Sequence, residues 1–274
     1  MDDGIRLEAK LAQQSAYRRR LLGHIFKDAA QDAINLYLQA AGLWKQAHAW
    51  GEAADCLVAA AELFKDEEPA TEICYDAGMN YLRAEQYERA AKVLERAIDG
   101  LVASDPRRAA RACRAAAKAY RHSNHVCSAQ NALEKASALY FSVRETANGI
   151  ECLVEIGRML ARRANGPEGH HQASLALANA INVMNTHKYP LKPELLLDQT
   201  LCAALSPVPH HTSKLPAIDR LNVIIDQIYY AVKANDEELF VAVIKQWDVE
   251  YGMEELSLLL SLRVKQIFET NELL

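Results

Sequence analysis

Glycine and proline are scarce in this chain, 11 and 8 of 274 residues, both well below average usage. Aromatic residues make up only 7%. Hairpin turns draw on glycine, and strands on aromatic and β-branched residues, so sandwich and barrel folds are disfavoured. No apolar run approaches the roughly 18 residues of a membrane span; the longest, residues 256–262, is short and broken by serines. The first residues show no basic start followed by an apolar core, so no secretory leader is expected. A net charge of −5 gives the whole chain no electrostatic footprint for nucleic acid. The six cysteines (Cys56, Cys74, Cys113, Cys127, Cys152, Cys202) form no Cys-x-x-Cys pair, and no Asn-x-Ser/Thr acceptor occurs. Reduced thiols in a cytosolic protein are therefore expected, each acting as a small buried hydrophobe.

What the chain does have is alanine, at 46 positions, in a sequence that is half apolar. That apolar content excludes disorder, and alanine with Leu, Glu, Gln, Lys and Arg is a helical composition. Apolar periodicity predicts an all-α protein with helices over 5–16, 28–48, 51–65, 69–84, 86–103, 106–122, 127–142, 146–164, 171–186, 193–205, 217–233, 236–248 and 253–269. Ser104-Asp105-Pro106 is a cap followed by proline in the first turn. A motif also recurs. It appears in Gly51-Glu52-Ala53-Ala54-Asp55-Cys56-Leu57 and in Tyr87-Glu88-Arg89-Ala90-Ala91-Lys92-Val93-Leu94. Weaker copies start at Cys127 and His171. Each copy follows another apolar-periodic stretch, so the repeating unit is a helix hairpin with alanine where the helices approach and one aromatic filling the gap. This is a tetratricopeptide-like solenoid pattern. The last three helices carry more large Ile, Val, Leu and Tyr, as a compact C-terminal bundle would need. The expected domains are an array over 1–205 and a bundle with tail over 206–274.

The modest net charge conceals an asymmetry. Residues 105–163 hold eleven bases against five acids, and residues 219–274 hold eleven acids against five bases. Arg107, Arg111, Arg114, Lys118 and Arg121 follow at steps of 4, 3, 4 and 3, which places them on one helix face opposite Ala, Cys and Tyr. No acid at i±4 offsets the stripe, which points to a surface for an acidic partner.

Motifs of catalysis are missing: there is no phosphate-binding glycine loop, nucleophile elbow or zincin signature. His122, His125 and Cys127 fall short of a closed tetrahedral metal site. His170-His171 and His210-His211 lie where prolines interrupt the regular pattern and are expected in exposed loops. The chain reads as an interaction protein, not an enzyme, with no cofactor, metal, nucleic acid or small-molecule substrate.

One stretch carries a resemblance. Residues 33–54, Ala33-Ile34-Asn35-Leu36-Tyr37-Leu38-Gln39-Ala40-Ala41-Gly42-Leu43-Trp44-Lys45-Gln46-Ala47-His48-Ala49-Trp50-Gly51-Glu52-Ala53-Ala54, resemble the signature hairpin of the soluble NSF attachment proteins. Tyr75-Asp76-Ala77-Gly78 is similar to a second marker of that family. So are Lys245-Gln246-Trp247-Asp248, the run Leu258-Leu259-Leu260-Ser261-Leu262-Arg263-Val264-Lys265, and the terminal Leu273-Leu274. The likeness runs in order through nearly the whole chain, as in a divergent member of alpha or gamma type. It implies a twisted sheet of antiparallel helices with a C-terminal bundle, in an adaptor that grips the four-helix SNARE bundle and recruits and stimulates the hexameric ATPase NSF. Lys45, His48, Arg107, Arg111, Arg114, Lys118, Arg121 and Arg220 would then face SNAREs. Asp236, Glu237, Glu238, Leu273 and Leu274 would serve NSF. Leu21, Leu22, Ile25 and Phe26, behind Arg18-Arg19-Arg20, match the place of a membrane-touching loop on a cytoplasmic, peripheral protein. Ala112, Glu151 and Leu197 stand where the family has lysines, and 206–216 stands where it has a helix. The competing reading is a tetratricopeptide-type scaffold or co-chaperone without NSF coupling.

Overall fold

The computed structural model describes residues 2–22, 27–64, 67–206 and 219–271. Among these the chain is all-α, with thirteen helices. They are α1 (Asp2–Leu22), α2 (Lys27–Gln46), α3 (Trp50–Ala61), α4 (Glu67–Arg83), α5 (Tyr87–Ser104), α6 (Pro106–His122), α7 (Val126–Ser142), α8 (Thr146–Arg163), α9 (Gly166–Thr186), α10 (Pro193–Leu205), α11 (Asp219–Lys233), α12 (Glu237–Tyr251) and α13 (Glu255–Asn271). Each expected helix is present, and the largest extensions beyond the expected bounds are in α1 and α9. α1 continues through Arg18–Arg20 to Leu22. α9 begins at Gly166, because Pro167 sits in its first turn, where the missing N–H costs nothing. His170 and His171 are therefore helical residues rather than loop residues. Residues 207–218, including His210 and His211, lie outside the described residues.

The chain divides into two compact units, residues 1–145 and 146–274. In the first, α1 to α7 pack each on the next, as hairpins in sequence. Its core is mostly alanine: Ala40, Ala41, Ala53, Ala54, Ala60, Ala77, Ala90 and Ala91 are buried, with Tyr37, Trp44, Leu57 and Tyr81 as the large side chains among them. Trp44 donates its indole N–H to Gln13 of α1 (3.3 Å). Tyr81 donates to Asp55 of α3 (2.6 Å), and Tyr120 of α6 donates to Glu95 of α5. On α4 and α6 a tyrosine thus bonds a carboxylate on the helix before it. Burial and the carboxylate together raise both phenol pKa values.

Six turns share one geometry. His48, Glu85, Asn124, Arg144, Lys188 and Asn235 have φ between 52° and 68°. In each turn the next residue's N–H bonds the carbonyl five positions back, as in Ala49 to Trp44 (2.9 Å), Gln86 to Tyr81 (2.9 Å) and His125 to Tyr120 (2.9 Å). This is the Schellman ending of a helix, usually supplied by glycine. Here a left-handed L-residue stands in its place, at roughly 1 kcal/mol of strain. Asparagine tolerates that conformation, and His, Arg and Lys meet the negative end of the helix dipole favourably. Glu85 does not.

The second unit closes on itself. α9, α10, α11 and α12 continue in sequence, and α13 returns to pack on α10 and α8. α10 is consequently buried at every position from 195 to 205. Trp247, Phe268, Leu177, Ile181, Leu221 and Ile228 fill the surrounding space.

Glycine is used for close approach at Gly78, part of the Tyr75-Asp76-Ala77-Gly78 marker. A Cβ there would sit 2.5 Å from Cγ of Leu94 on α5, itself fully buried. Gly78→Ala should therefore destabilise the protein by about 1–3 kcal/mol through overpacking, read by urea unfolding. α12 starts on Asp236, whose carboxylate accepts from the Leu239 N–H (2.9 Å). Asp236→Ala should cost about 1 kcal/mol and Asp236→Asn much less, because asparagine caps as well as aspartate.

Candidate functional site

The basic stripe lies on α6. Asp105 caps the helix by accepting from the Arg108 N–H (3.0 Å), and Pro106 fixes its first turn. Ala109, Ala110, Ala112, Cys113, Ala116, Ala117 and Ala119 are buried on the inner face. Arg107, Arg111, Lys118 and Arg121 are exposed, and Arg114 is half-buried. The stripe is partly neutralised by tertiary contact, which helical spacing could not reveal: Arg107 pairs with Glu145, in the turn after α7. Among the described residues Arg111 and Lys118 have no hydrogen-bond or ion-pair partner. Arg108, outside the stripe, bonds Glu72 of α4 and lies over the Tyr75 ring at 5.2 Å. Ala112 and Leu197 are fully buried and add nothing to the surface charge.

Lys45 lies in the last turn of α2 and His48 in the turn that follows it. The Lys45 carbonyl accepts the His48 N–H (3.1 Å), and the exposed His48 ring packs edge-on against Trp50 at 5.8 Å. Trp50 also receives the Arg83 guanidinium at 4.8 Å. At the end of α1, Leu21 and Leu22 are 56% and 44% exposed. Of the arginines before them, Arg19 pairs with Asp32 (3.0 Å) and Arg20 with Glu62 (3.1 Å). Ile25 and Phe26 lie outside the described residues.

In the second unit Arg220 pairs with Glu250 (3.1 Å) while remaining largely exposed. Asp236, Glu237 and Glu238 make up the cap and first turn of α12, with Glu237 4.0 Å from Lys265. Leu273 and Leu274 lie outside the described residues.

Side chains with reactive potential are occupied elsewhere. The His122 ring stacks on Tyr87 (4.3 Å), and the His125 ring meets Tyr120 edge-on (6.3 Å). No group of three or more His, Cys, Asp or Glu among the described residues could hold a metal ion. Burial pushes the Cys56 thiol up to about 12 and Cys113 to about 11, so neither is a thiolate at neutral pH. Cys127 departs from the expectation of burial and is exposed. No helix among the described residues is long and apolar enough to cross a membrane.

A polar node in the second unit escaped the sequence reading. Asp198 of α10 is 0% exposed, and its Oδ1 accepts from the Ser257 hydroxyl of α13 (2.6 Å). Its Oδ2 lies 3.5 Å from Nε of Arg158 on α8, and Arg158 also pairs with Glu254 (2.8 Å). Nearby, Arg263 of α13 donates to the carbonyls of Ala161 and Arg162 (both 2.9 Å), placing a cation on the negative end of α8. His170, buried rather than looped out, lies 3.3 Å from the same guanidinium, and burial followed by that charge lowers its pKa. The available signal was Asp198-Gln199-Thr200 inside an otherwise apolar helix.

Comparisons with known proteins complete the description. No curated protein sequence matches this chain. Among solved structures it is similar to the crystal structure of BtubC (BKLC) from P. vanneervenii, at 12% identity, 97% and 92% coverage of the two chains and a TM-score of 0.43. It is similar also to the de novo designed helical repeat protein DHR64, at 14% identity, 98% and 100% coverage and a TM-score of 0.18. The family described as Soluble NSF attachment protein, SNAP, matches residues 8–269. That span covers nearly the whole chain, from α1 to α13, and membership implies an adaptor role toward NSF and SNAREs without enzymatic activity. The chain belongs to the soluble NSF attachment protein family.

Proposed function

We propose that this chain grips assembled SNARE bundles through the outer face of α6 and recruits and stimulates NSF for their disassembly in vesicle fusion and trafficking. The observation that carries the SNARE half is the exposure of Arg111 and Lys118, without a partner among the described residues, between Arg107, Arg114 and Arg121 on one helix face. A four-helix bundle with an acidic surface is the complementary shape and charge. Lys45 and His48 in the first unit, and separately Arg220 in the second, are further candidate SNARE contacts. The array of residues 1–205 supplies the SNARE grip in this reading, and the bundle of 206–274 supplies the NSF end.

For NSF, the contact is the acidic first turn of α12, Asp236, Glu237 and Glu238, together with the terminal Leu273 and Leu274. Leu21 and Leu22, with Ile25 and Phe26, would touch the cytosolic face of a membrane, where exposed apolar side chains beside arginine suit an anionic surface. That makes the protein cytoplasmic and peripheral.

Arg111→Glu/Lys118→Glu reverses two exposed charges without touching the α6 core. Binding to assembled SNAREs in a pull-down should weaken about ten-fold at low salt, and the deficit should shrink at high salt as screening takes over. Equal capture of assembled and free SNAREs by the unmodified protein would instead favour a peptide-binding scaffold. In an NSF ATPase assay, Leu273→Ala/Leu274→Ala should lose stimulation while SNARE capture persists. An unmodified protein that leaves NSF unstimulated defeats the NSF half of the reading.

A further inference from the structure

The node around Asp198 joins three helices that are distant in sequence, and its charges do not balance. Among the described residues, Arg158 of α8 is the single cation within pairing distance of Asp198. Against it stand Asp198 itself, Glu194 one turn earlier on α10, and Glu254 just ahead of α13. Asp198 is the carboxylate wholly removed from water, whereas Arg158 and Glu254 keep 29% and 45% of their side chains exposed. Among the described residues, Oδ2 of Asp198 and Nε of Arg158 make no hydrogen bond, so the 3.5 Å approach is not an aligned ion pair. Among the described residues, the neighbouring elements offer no other charge to compensate at close range. α9 supplies Ser174, engaged by Gln199 (3.4 Å). Lys233 of α11 donates to the Ser206 carbonyl at the far end of α10 (3.0 Å), and Arg263 of α13 is committed to the α8 carbonyls.

We propose that Asp198 is a proton-operated seat for α13: the neutral carboxyl holds the helix firmly against α8 and α10, and ionisation loosens it. The proton comes from solvent and adds to Oδ2, while Oδ1 keeps the Ser257 hydroxyl in both states. Three effects oppose this seat and favour the carboxylate: the Ser257 hydrogen bond, the Arg158 charge and the positive end of the α13 dipole, since Ser257 lies in the first turn of α13. Burial and two further carboxylates favour the acid. Burial is the largest effect and pushes Asp198 up to about 6, with the Ser257 hydrogen bond and Arg158 pulling back.

The sign follows from linkage. A carboxyl whose pKa is higher in the docked than in the released state favours docking as pH falls. The contribution is complete below the ordinary carboxylate range and is lost as pH rises through about 6. In sequence, α13 directly precedes Leu273 and Leu274, the residues proposed for NSF. The inference stands independently of SNARE binding on α6.

Hydrogen exchange of the full chain, corrected for intrinsic rates, reads the seat directly. From pH 7.5 to pH 5.5, amide protection in α13 should rise about four-fold, while α2 stays unchanged. Asp198→Asn, a neutral isostere, should show no such pH response and should match or exceed the unmodified protein's protection at pH 7.5. A flat or falling response in the unmodified protein, or an undiminished response in the variant, overturns the proposal. If Asp198→Asn fails to fold, a carbon-13 carboxyl titration of the unmodified protein decides it. A midpoint near 6 supports the seat, and a midpoint in the ordinary range near 4 overturns it.

Discussion

Close approach of helix backbones is the constraint on which this structure rests. Alanine and glycine at the contact positions let neighbouring helices come near enough for a single aromatic to fill the space that remains. Gly78 shows how tight the fit is, since one added methyl would overlap the buried Leu94. Packing at that separation lets each hairpin bury its apolar face only against the next, which is the physical reason for an array. The same closeness brings Tyr81 and Tyr120 within reach of Asp55 and Glu95 on the preceding helices.

The two compact units solve the problem of burial differently. In the first, small side chains and repeated turns keep each helix in register with its neighbours, and polar pairs such as Arg108 with Glu72 fasten helices two apart. In the second, α13 returns to cover α10, so a helix with Asp198, Gln199 and Thr200 in its middle is buried throughout. Polar groups taken out of water must find partners. Ser257 answers for Oδ1 of Asp198 and Leu196 accepts from Thr200 (2.8 Å), while Oδ2 of Asp198 is left with only the loose 3.5 Å approach of Arg158. Arg263, tying α13 to the end of α8, is part of the same closure.

Much of the α6 surface was legible because helical spacing alone puts Arg107, Arg111, Arg114, Lys118 and Arg121 on one side, with alanines on the other. The pairing of Arg107 with Glu145 was not legible, because the acid arrives from the turn after the next helix, 38 residues later. His170 and His171 misled for a related reason. Proline beside glycine reads as a break, yet proline in a first turn starts a helix, and α9 carries both histidines inward to Arg263 and Ser206. The αL turns were invisible as well, since His48, Glu85 and Lys188 are not residues that advertise positive φ.

The sequence by itself determined that this chain is helical, where its helices fall, and that they pair as alanine-faced hairpins of the soluble NSF attachment protein kind. Composition and periodicity are local properties, and a helix expresses them wherever it is packed. Only the tertiary structure decided which charges stay uncommitted, which histidine is buried, and that α13 closes over α10 with Asp198 beneath it. Those outcomes depend on groups far apart in the chain, whose electrostatics exist only once folding has brought them together and removed the water between them.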